Sequence, residues 1–344
     1  MSVDRATSVS RSAATRRGAL LHAALFLLVS PALIAGLVLT LSRLTDDSNG
    51  RALRIESFTP FGIPLYAALL VVSLVGLVLV PRAEGARPVW RVVALLALVG
   101  LALHLAWFSP RMVGSNPPPA PDAVPITVMT ANVFAGNVPG DEIVRAVEEQ
   151  DVDVLVLAEV TTAEVAEMDE AGISELLPFR IGGSSDYDAD GTMVFSRLTM
   201  GLATPLETGH ESWRVDVDGL SLMAVHPFSP TVSGKWRADH AVIGEAAERL
   251  QPDLIVGDFN ATLDHQPMQD LASAGWRSAA ERTNAFFQPT WPANGLIRAF
   301  GFPVPPMVQI DHVLVGPRMA AISVDTVTLP GSDHLAVVAQ VARR

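Results

Sequence analysis

Residues 253–260 read Asp-Leu-Ile-Val-Gly-Asp-Phe-Asn. An aliphatic run of this kind predicts a strand, and it ends on Asp258 and Asn260, side chains that bind cations or phosphate oxygens. Four further stretches repeat the pattern of an apolar run closed by a metal-binding or acid/base residue. They are Thr130-Ala131-Asn132, Ala158-Glu159, Ile310-Asp311-His312 and Ser332-Asp333-His334.

The segments between them alternate in period. Residues 126–132 (ITVMTAN) read as a buried strand, 141–150 as an amphipathic helix, 152–160 (VDVLVLAEV) as a second strand and 162–176 as helical. Strands follow at 192–196 and 221–227, then a helix at 236–250, and the C-terminal end is mostly β. Early alternation followed by late pairing predicts an α/β fold, with sheets packed together and helices outside. In such folds polar residues at strand ends converge on one pocket.

The chemistry of that pocket follows from its residue types. A hard divalent cation such as Mg2+ prefers oxygen donors; Glu159 and the Asn132 amide are suitable, with Asp333 or Asp258 available to complete the shell. Such an ion neutralises phosphoryl charge and acidifies a bound water. His334, oriented by a carboxylate such as Asp311, is a candidate base. Asn260 and His226 can donate to developing negative charge, and Asp258 can position the water.

Residues 126–344 resemble the endonuclease/exonuclease/phosphatase superfamily in a strand-ending Asn, a Glu on the next strand, a mid-domain His, a GDFN run and a terminal Asp-His. The resemblance implies a four-layered αββα sandwich of DNase I type. It implies Asn132 and Glu159 as metal ligands with Asp333 near the metal, Asp258 and Asn260 around the scissile phosphate, His226 as a phosphate ligand and an Asp311–His334 pair. The implied cofactor is Mg2+, with Mn2+ as the alternative.

Three apolar segments precede this domain, at 19–41, 62–80 and 89–108, after a tail of residues 1–18. Each is long enough at 1.5 Å per residue to cross a hydrocarbon core of roughly 30 Å. The tail and the second loop carry seven Arg against three in the first loop, which predicts a cytoplasmic N-terminus and an extracytoplasmic catalytic domain at the cell membrane. Residues 109–125 form a Pro-rich spacer. Three spans ahead of such a domain narrow the resemblance to the membrane-anchored VanJ-type branch associated with glycopeptide (teicoplanin) resistance, whose domain faces outward. That implies action on lipid-linked cell-wall intermediates.

Charge bears on the substrate. Residues 122–344 hold 13 Arg plus Lys against 31 Asp plus Glu, a balance of −18, whereas residues 1–121 hold 11 against 5. A nonspecific grip on nucleic acid needs a basic surface, so this balance counts against DNA or RNA. The absence of Cys excludes disulfides and thiolate chemistry. No protein partner is evident.

Several residues carry a plainer reading. His312 should face away from Asp311, His240 and His265 are expected at the surface or as helix caps, and His22 and His104 near helix ends at the membrane interface. The Asp186–Gly191 run imitates an EF-hand start but reaches Arg197 where Glu is needed, and is expected to be a hairpin loop. The apolar stretch 293–307, with Leu296, Ile297, Phe300 and Phe302, is expected to hang over the pocket, either packed on the core or touching lipid, with Trp291 at the same rim.

The expectation is therefore a membrane-tethered, Mg2+-dependent phosphoesterase acting on a lipid-linked phosphate or diphosphate such as undecaprenyl diphosphate. A membrane-anchored nuclease and a phospholipid or sphingolipid phosphodiesterase are the enzymatic alternatives. A lipid-diphosphate-binding sensor or scaffold is the alternative without catalysis.

Overall fold

The computed structural model describes residues 26–27, 29–45, 49–79, 87–186 and 189–344. The expected cytoplasmic tail, the start of the first span, His22, the loop carrying Arg82 and Asp188 lie outside the described residues. Two compact units result, Met1–Thr45 with Phe58–Phe108, and Asp46–Ser57 with Ser109–Arg344.

The chain begins with α1 (Val29–Thr45), α2 (Gly50–Glu56), α3 (Gly62–Leu79) and α4 (Arg87–Phe108). Helix α2 belongs to the second unit and the other three to the first. Two helical segments, Thr59–Val78 and Arg87–Arg111, are long and apolar enough to cross a membrane. The described part of α1 passes that test only together with α2, across a 110° bend. Its residues 29–45 would span only about 26 Å, short of the hydrocarbon thickness. Of the three expected spans, two therefore stand on length and composition among the described residues.

Within the first unit the Tyr66 ring sits where Gly36 and Gly100 leave room; a Cβ at Gly100 would lie 2.4 Å from it and one at Gly36 2.9 Å. Tyr66 hydroxyl meets Thr40 Oγ1 at 2.8 Å, Thr40 Oγ1 meets His104 Nε2 at 3.1 Å, and His104 Nδ1–H donates to the Thr59 carbonyl at 2.7 Å. His104 is buried, which corrects the expected interfacial position: polar groups in an apolar bundle turn inward to find partners.

The second unit continues with β1 (Ile126–Asn132), α5 (Gly140–Glu149), β2 (Val154–Ala158), α6 (Thr162–Glu170), α7 (Ile173–Leu176), β3 (Phe179–Gly183) and β4 (Thr192–Ser196). Next come β5 (Met200–Leu206), β6 (Ser212–Val217), β7 (Leu220–Val225), α8 (Ser233–Leu250), β8 (Leu254–Asp258), α9 (Gln266–Ser273), β9 (Arg277–Ser278) and α10 (Ala279–Arg282). A small hairpin, β10 (Arg298–Ala299) and β11 (Phe302–Pro303), precedes β12 (Asp311–Val315), β13 (Met319–Thr328) and β14 (Leu335–Arg343).

Two six-stranded sheets form, in the orders β13-β14-β1-β2-β4-β3 and β5-β6-β7-β8-β12-β9. Alternation along each strand explains the layering. Val128, Val154 and Val156 meet Leu222, Val256 and Val313 between the sheets. Their neighbours Met129, Leu155 and Leu157 face α5, α6 and α7 through Ile143, Met168 and Ile173. On the far side Met223, Val225 and Ile255 pack under α8 and α9 against Trp236, Ile243 and Leu271. The result is the expected αββα sandwich, and each large side chain so buried contributes roughly 1.5–3 kcal/mol.

Topology decides where chemistry can collect. Each sheet holds one parallel pair joined through a helix, β1-α5-β2 in the first and β7-α8-β8 in the second. The carboxyl ends of these four strands carry Asn132, Glu159, His226 and Asp258. Strands β12 and β14 run antiparallel to β8 and β1, so their amino ends arrive at the same edge. Asp311 accordingly opens β12, opposite Asp258, and His334 precedes β14; these two stand at strand starts rather than at the expected strand ends.

Candidate active site

Gly257 makes the GDFN corner geometrically feasible. Its φ is +149° and a Cβ there would lie 2.0 Å from the Val225 carbonyl, so only glycine lets β8 run this close to β7. Glu159 (φ +59°) and Asn260 (φ +48°) are non-glycine residues held in the left-handed region, a cost of roughly 1–2 kcal/mol each that aims their side chains into the cleft. Asp258 Oδ1 accepts from the Asn260 amide at 2.7 Å, and Asn260 Nδ2 donates to the Pro227 carbonyl at 3.0 Å.

At the other sheet the Asn132 amide bridges two acids, its Nδ2 donating to Glu159 at 2.9 Å and to Asp258 at 3.0 Å, while Oδ1 accepts from Phe134 N–H. Ser332 Oγ donates to the Asn132 carbonyl at 2.7 Å and accepts from the His334 amide at 2.9 Å, tying the start of β14 to the end of β1. His334 Nδ1 bonds Asp311 Oδ2 at 2.8 Å. Its Nε2 faces Asp258 Oδ2 at 3.9 Å and Asp333 Oδ1 at 3.8 Å. His226 Nε2 lies 4.0 Å from both Glu159 and Asp258.

Four carboxylates thus surround two imidazoles, largely away from water. Burial pushes the Glu159 carboxyl up. Burial and then the neighbouring Asp311 do the same for Asp258. His226 is held well below its ordinary value by burial and then by the adjacent His210 and His334, so it is neutral. Burial would lower His334 as well, but Asp311 and Asp258 outweigh it and raise the imidazole to about 10. His334 is therefore an imidazolium at neutral pH, and Asp258, whose affinity for a proton burial raises, lies 3.9 Å from its Nε2.

All eight residues picked out from the sequence lie at this edge. Six of them, Glu159, His226, Asp258, Asn260, Asp333 and His334, line one cleft, with Asn132 and Asp311 holding those six in place. His312 is buried on the opposite side of β12 and bonds the Ala261 carbonyl at 2.9 Å. His240 and His265 are not at the surface: His240 bonds the Phe259 carbonyl, and His265 stands at the N-cap position of α9 with Nε2 on the Leu53 carbonyl at 2.9 Å. Strands β3 and β4, on either side of the Asp186–Gly191 run, pair antiparallel; residues 187–188 of the run lie outside the described residues.

Two cleft residues carried no sequence signal. His210 stacks on His226 with ring centroids 4.7 Å apart and bonds Asp190 at 2.6 Å. Arg54, from α2, lines the same cleft.

The donor set suits a divalent cation. It is rich in hard oxygen, and Asp333 Oδ1 and Asp311 Oδ1 are buried without a hydrogen-bond partner. Ligand atoms of Asp258, Asp311 and His334 lie within 4.8 Å of one another. In that triad, however, His334 Nδ1 is already committed to Asp311. Glu159 and Asp333, both in the cleft wall, retain oxygens free to meet a cation.

Clustered carboxylates, a neutral and a charged imidazole and an Asn corner thus collect at one edge of the sandwich, a set suited to phosphoester chemistry. The endonuclease/exonuclease/phosphatase family model matches residues 129–334, and the chain belongs to that family. No curated protein matches it. Among solved structures it is similar to D. rerio TDP2 complexed with a single-strand DNA product, at 17% identity and TM-score 0.50, covering 63% of this chain and 98% of that one. It is also similar to a functionally unknown conserved protein from Enterococcus faecalis (15%, 0.49, 64% and 100%) and to an AP endonuclease from Archaeoglobus fulgidus (13%, 0.48, 62% and 98%).

Proposed function

We propose that the chain is a membrane-anchored, Mg2+-dependent phosphoesterase that hydrolyses a lipid-linked phosphate or diphosphate at the outer face of the cell membrane. The observation that carries the lipid reading is the stretch 292–307. Trp291 and Val308 pair at its base and both line the catalytic cleft. Beyond them the β10–β11 hairpin lifts Phe300 into full exposure, with φ +52° at its tip, and leaves Phe302 74% and Leu296 72% exposed. An apolar projection at the mouth of a phosphoesterase cleft suits a substrate whose phosphate sits on a lipid. This favours the lipid-touching alternative over a loop packed on the core.

A cation held by Glu159 and Asp333 would supply charge neutralisation at a phosphoryl oxygen. The remaining work falls to side chains already in place. Asp258, kept basic by burial, accepts the proton of the attacking water, and His334, kept cationic by Asp311, donates through Nε2 to the phosphoryl oxygens. These roles exchange the sequence-based expectation, in which His334 was the base and Asp258 the positioning group. Asn260 flanks the phosphate, and neutral His226 can donate to it.

Topology supports the anchor. The segment before α3 and the domain after α4 fold as one unit, as they must if both lie on one face with two crossings between them. The Arg distribution supports an outer face. An antibiotic-resistance role of the VanJ type is the physiological form of this proposal. The nuclease reading draws on the DNA product held by the D. rerio relative, and the −18 balance of residues 122–344 opposes it.

The test is phosphate release from undecaprenyl diphosphate by the full-length protein in detergent, with Mg2+ or EDTA. Release that needs the metal is expected. Silence on this lipid, together with cleavage of plasmid DNA or phospholipid, would overturn the substrate assignment.

A further inference from the structure

The cleft has two walls of unlike chemistry. One carries Glu159, Asp258 and Asp333. The other is formed by α2 and the turn after β7, and presents Arg54, Ser57, Ser229 and Thr231. Among the described residues lining the cleft, Arg54 is the only Arg or Lys.

Helix α2 is docked on the domain. Asn49 caps its first turn by accepting from Arg51 N–H at 2.9 Å. Leu53 is buried to 1% exposure in the cluster containing Trp236 and Met268, and its carbonyl accepts from His265. Gly50 lies against the β7–α8 turn so closely that a Cβ would fall 2.5 Å from the Pro230 carbonyl. These contacts set the direction of Arg54, one residue on from Leu53. Its Nε is spent on the Gly50 carbonyl at 3.1 Å, which fixes the stem and leaves the terminal nitrogens of an exposed guanidinium to the cleft. Ser229 and Thr231 bond each other through their hydroxyls beside it.

We propose that Arg54 binds a second anionic group of the substrate, the phosphate next to the scissile one, and so selects diphosphates over single phosphates. This deepens the lipid-linked reading and rests on it. A guanidinium offers a planar fork of donors matched to phosphate oxygens, and hydroxyls add neutral donors. A single phosphate is already served by the cation together with His334, Asn260 and His226, so a further cationic wall in the same cleft has work where a second phosphate is present. In hydrolysis, water oxygen bonds to the terminal phosphorus and the bond from that phosphorus to the bridging oxygen breaks. The bridging oxygen keeps the electron pair and leaves on the phosphate held by Arg54; the water proton passes to Asp258 and then to solvent. The products are inorganic phosphate and the lipid monophosphate.

The experiment measures equilibrium binding of methylenediphosphonate and of methylphosphonate to full-length protein in detergent at fixed excess Mg2+. Wild-type protein, Arg54→Ala, Arg54→Glu and Arg54→Lys are compared. Wild type is expected to prefer the diphosphonate at least tenfold, Arg54→Ala and Arg54→Glu to lose that preference, and Arg54→Lys to keep part of it. Arg54 is exposed, so thermal unfolding should be unchanged in all three variants, and that measurement accompanies the titrations. An unchanged preference in Arg54→Ala, or equal losses for both ligands, overturns the proposal. Hydrolysis of a prenyl diphosphate is followed in parallel. If wild type retains the Arg54-dependent preference but releases no phosphate from the lipid, the substrate reading fails and the second-anion site stands.

Discussion

Two buried polar clusters in this chain obey opposite rules. Among the first-unit helices, Thr40, Tyr66 and His104 satisfy one another and the Thr59 carbonyl, and the His104 ring needs no charge to use both nitrogens. At the edge of the sandwich, His226 Nδ1, Asp311 Oδ1 and Asp333 Oδ1 are buried without partners, and four carboxylates are held together. A satisfied network holds helices in register. An unsatisfied one holds affinity in reserve, on the proposed function for a cation and a phosphate. The difference teaches that burial of polar groups does not by itself mark a site; several unfilled valences converging on one cleft do.

The comparison is sharpened most by Asp258→Asn. Loss of the proton acceptor should lower kcat about a thousandfold or more. Thermal stability should hold or rise, because one of four mutually repelling carboxylates is gone. A variant that lost stability and activity together would mean the acidic cluster is structural after all. Asp311→Asn should lower activity about a hundredfold and leave a second signature. Asp311 is the largest of the influences that raise His334. Its removal should bring the alkaline limb of the rate profile, set near pH 10 by the imidazolium, down by about one pH unit or more. An unmoved limb would show that another group titrates there.

Glu164 tests the rule from a third position. It opens α6 in a Thr161-x-x-Glu164 capping pattern, is 2% exposed, and neither carboxylate oxygen accepts a well-aligned hydrogen bond. Burial pushes its carboxyl up to about 8, only partly offset by the Thr161 and Val138 amides. From pH 4.5 to about 8 the unfolded chain gives up this proton while the folded chain keeps it, so stability declines across that window. Glu164→Gln has no proton to lose. Its unfolding free energy should match wild type near pH 4 and exceed it by on the order of 2 kcal/mol at pH 8, with activity retained. Equal pH profiles would show that the carboxylate finds partners on ionising.

What the sequence disclosed follows the same division. Strand-ending Asn132, Glu159 and Asp258 were legible because each closes an apolar run and their order along the chain matches a family pattern. Sheets packed together with helices outside were legible in the alternation of strand-like and helix-like segments, whereas the four-layered αββα order came with the family resemblance. His210 was not, since its role rests on stacking against His226 across a strand pair, and nothing local marks it. Nor was Arg54, which reads as one of three Arg in a short loop until Leu53 is seen buried beside Trp236. His265 holds the helix-capping position expected of it, but His240 was misplaced because imidazoles carry no sequence mark of burial; the Phe259 and Leu53 carbonyls that accept from them are supplied by tertiary packing.

The smallest effect belongs to the satisfied network. Tyr66→Phe removes one hydroxyl from a ring enclosed by Gly36 and Gly100 and leaves the packing intact. The one Thr40 Oγ1 proton still has an acceptor, the Gly36 carbonyl at 2.9 Å or His104 Nε2 at 3.1 Å, so no buried donor is stranded. Hydrogen bonds between membrane helices average well under 2 kcal/mol because partners are readily exchanged in lipid, so a loss of about 1 kcal/mol in unfolding from mixed micelles is expected. The rate per folded molecule should not change, since these groups complete one another and hold nothing open for substrate or metal. A fall in kcat with unchanged stability would break the comparison at its base, because it would place chemistry in a cluster that has no unfilled valence.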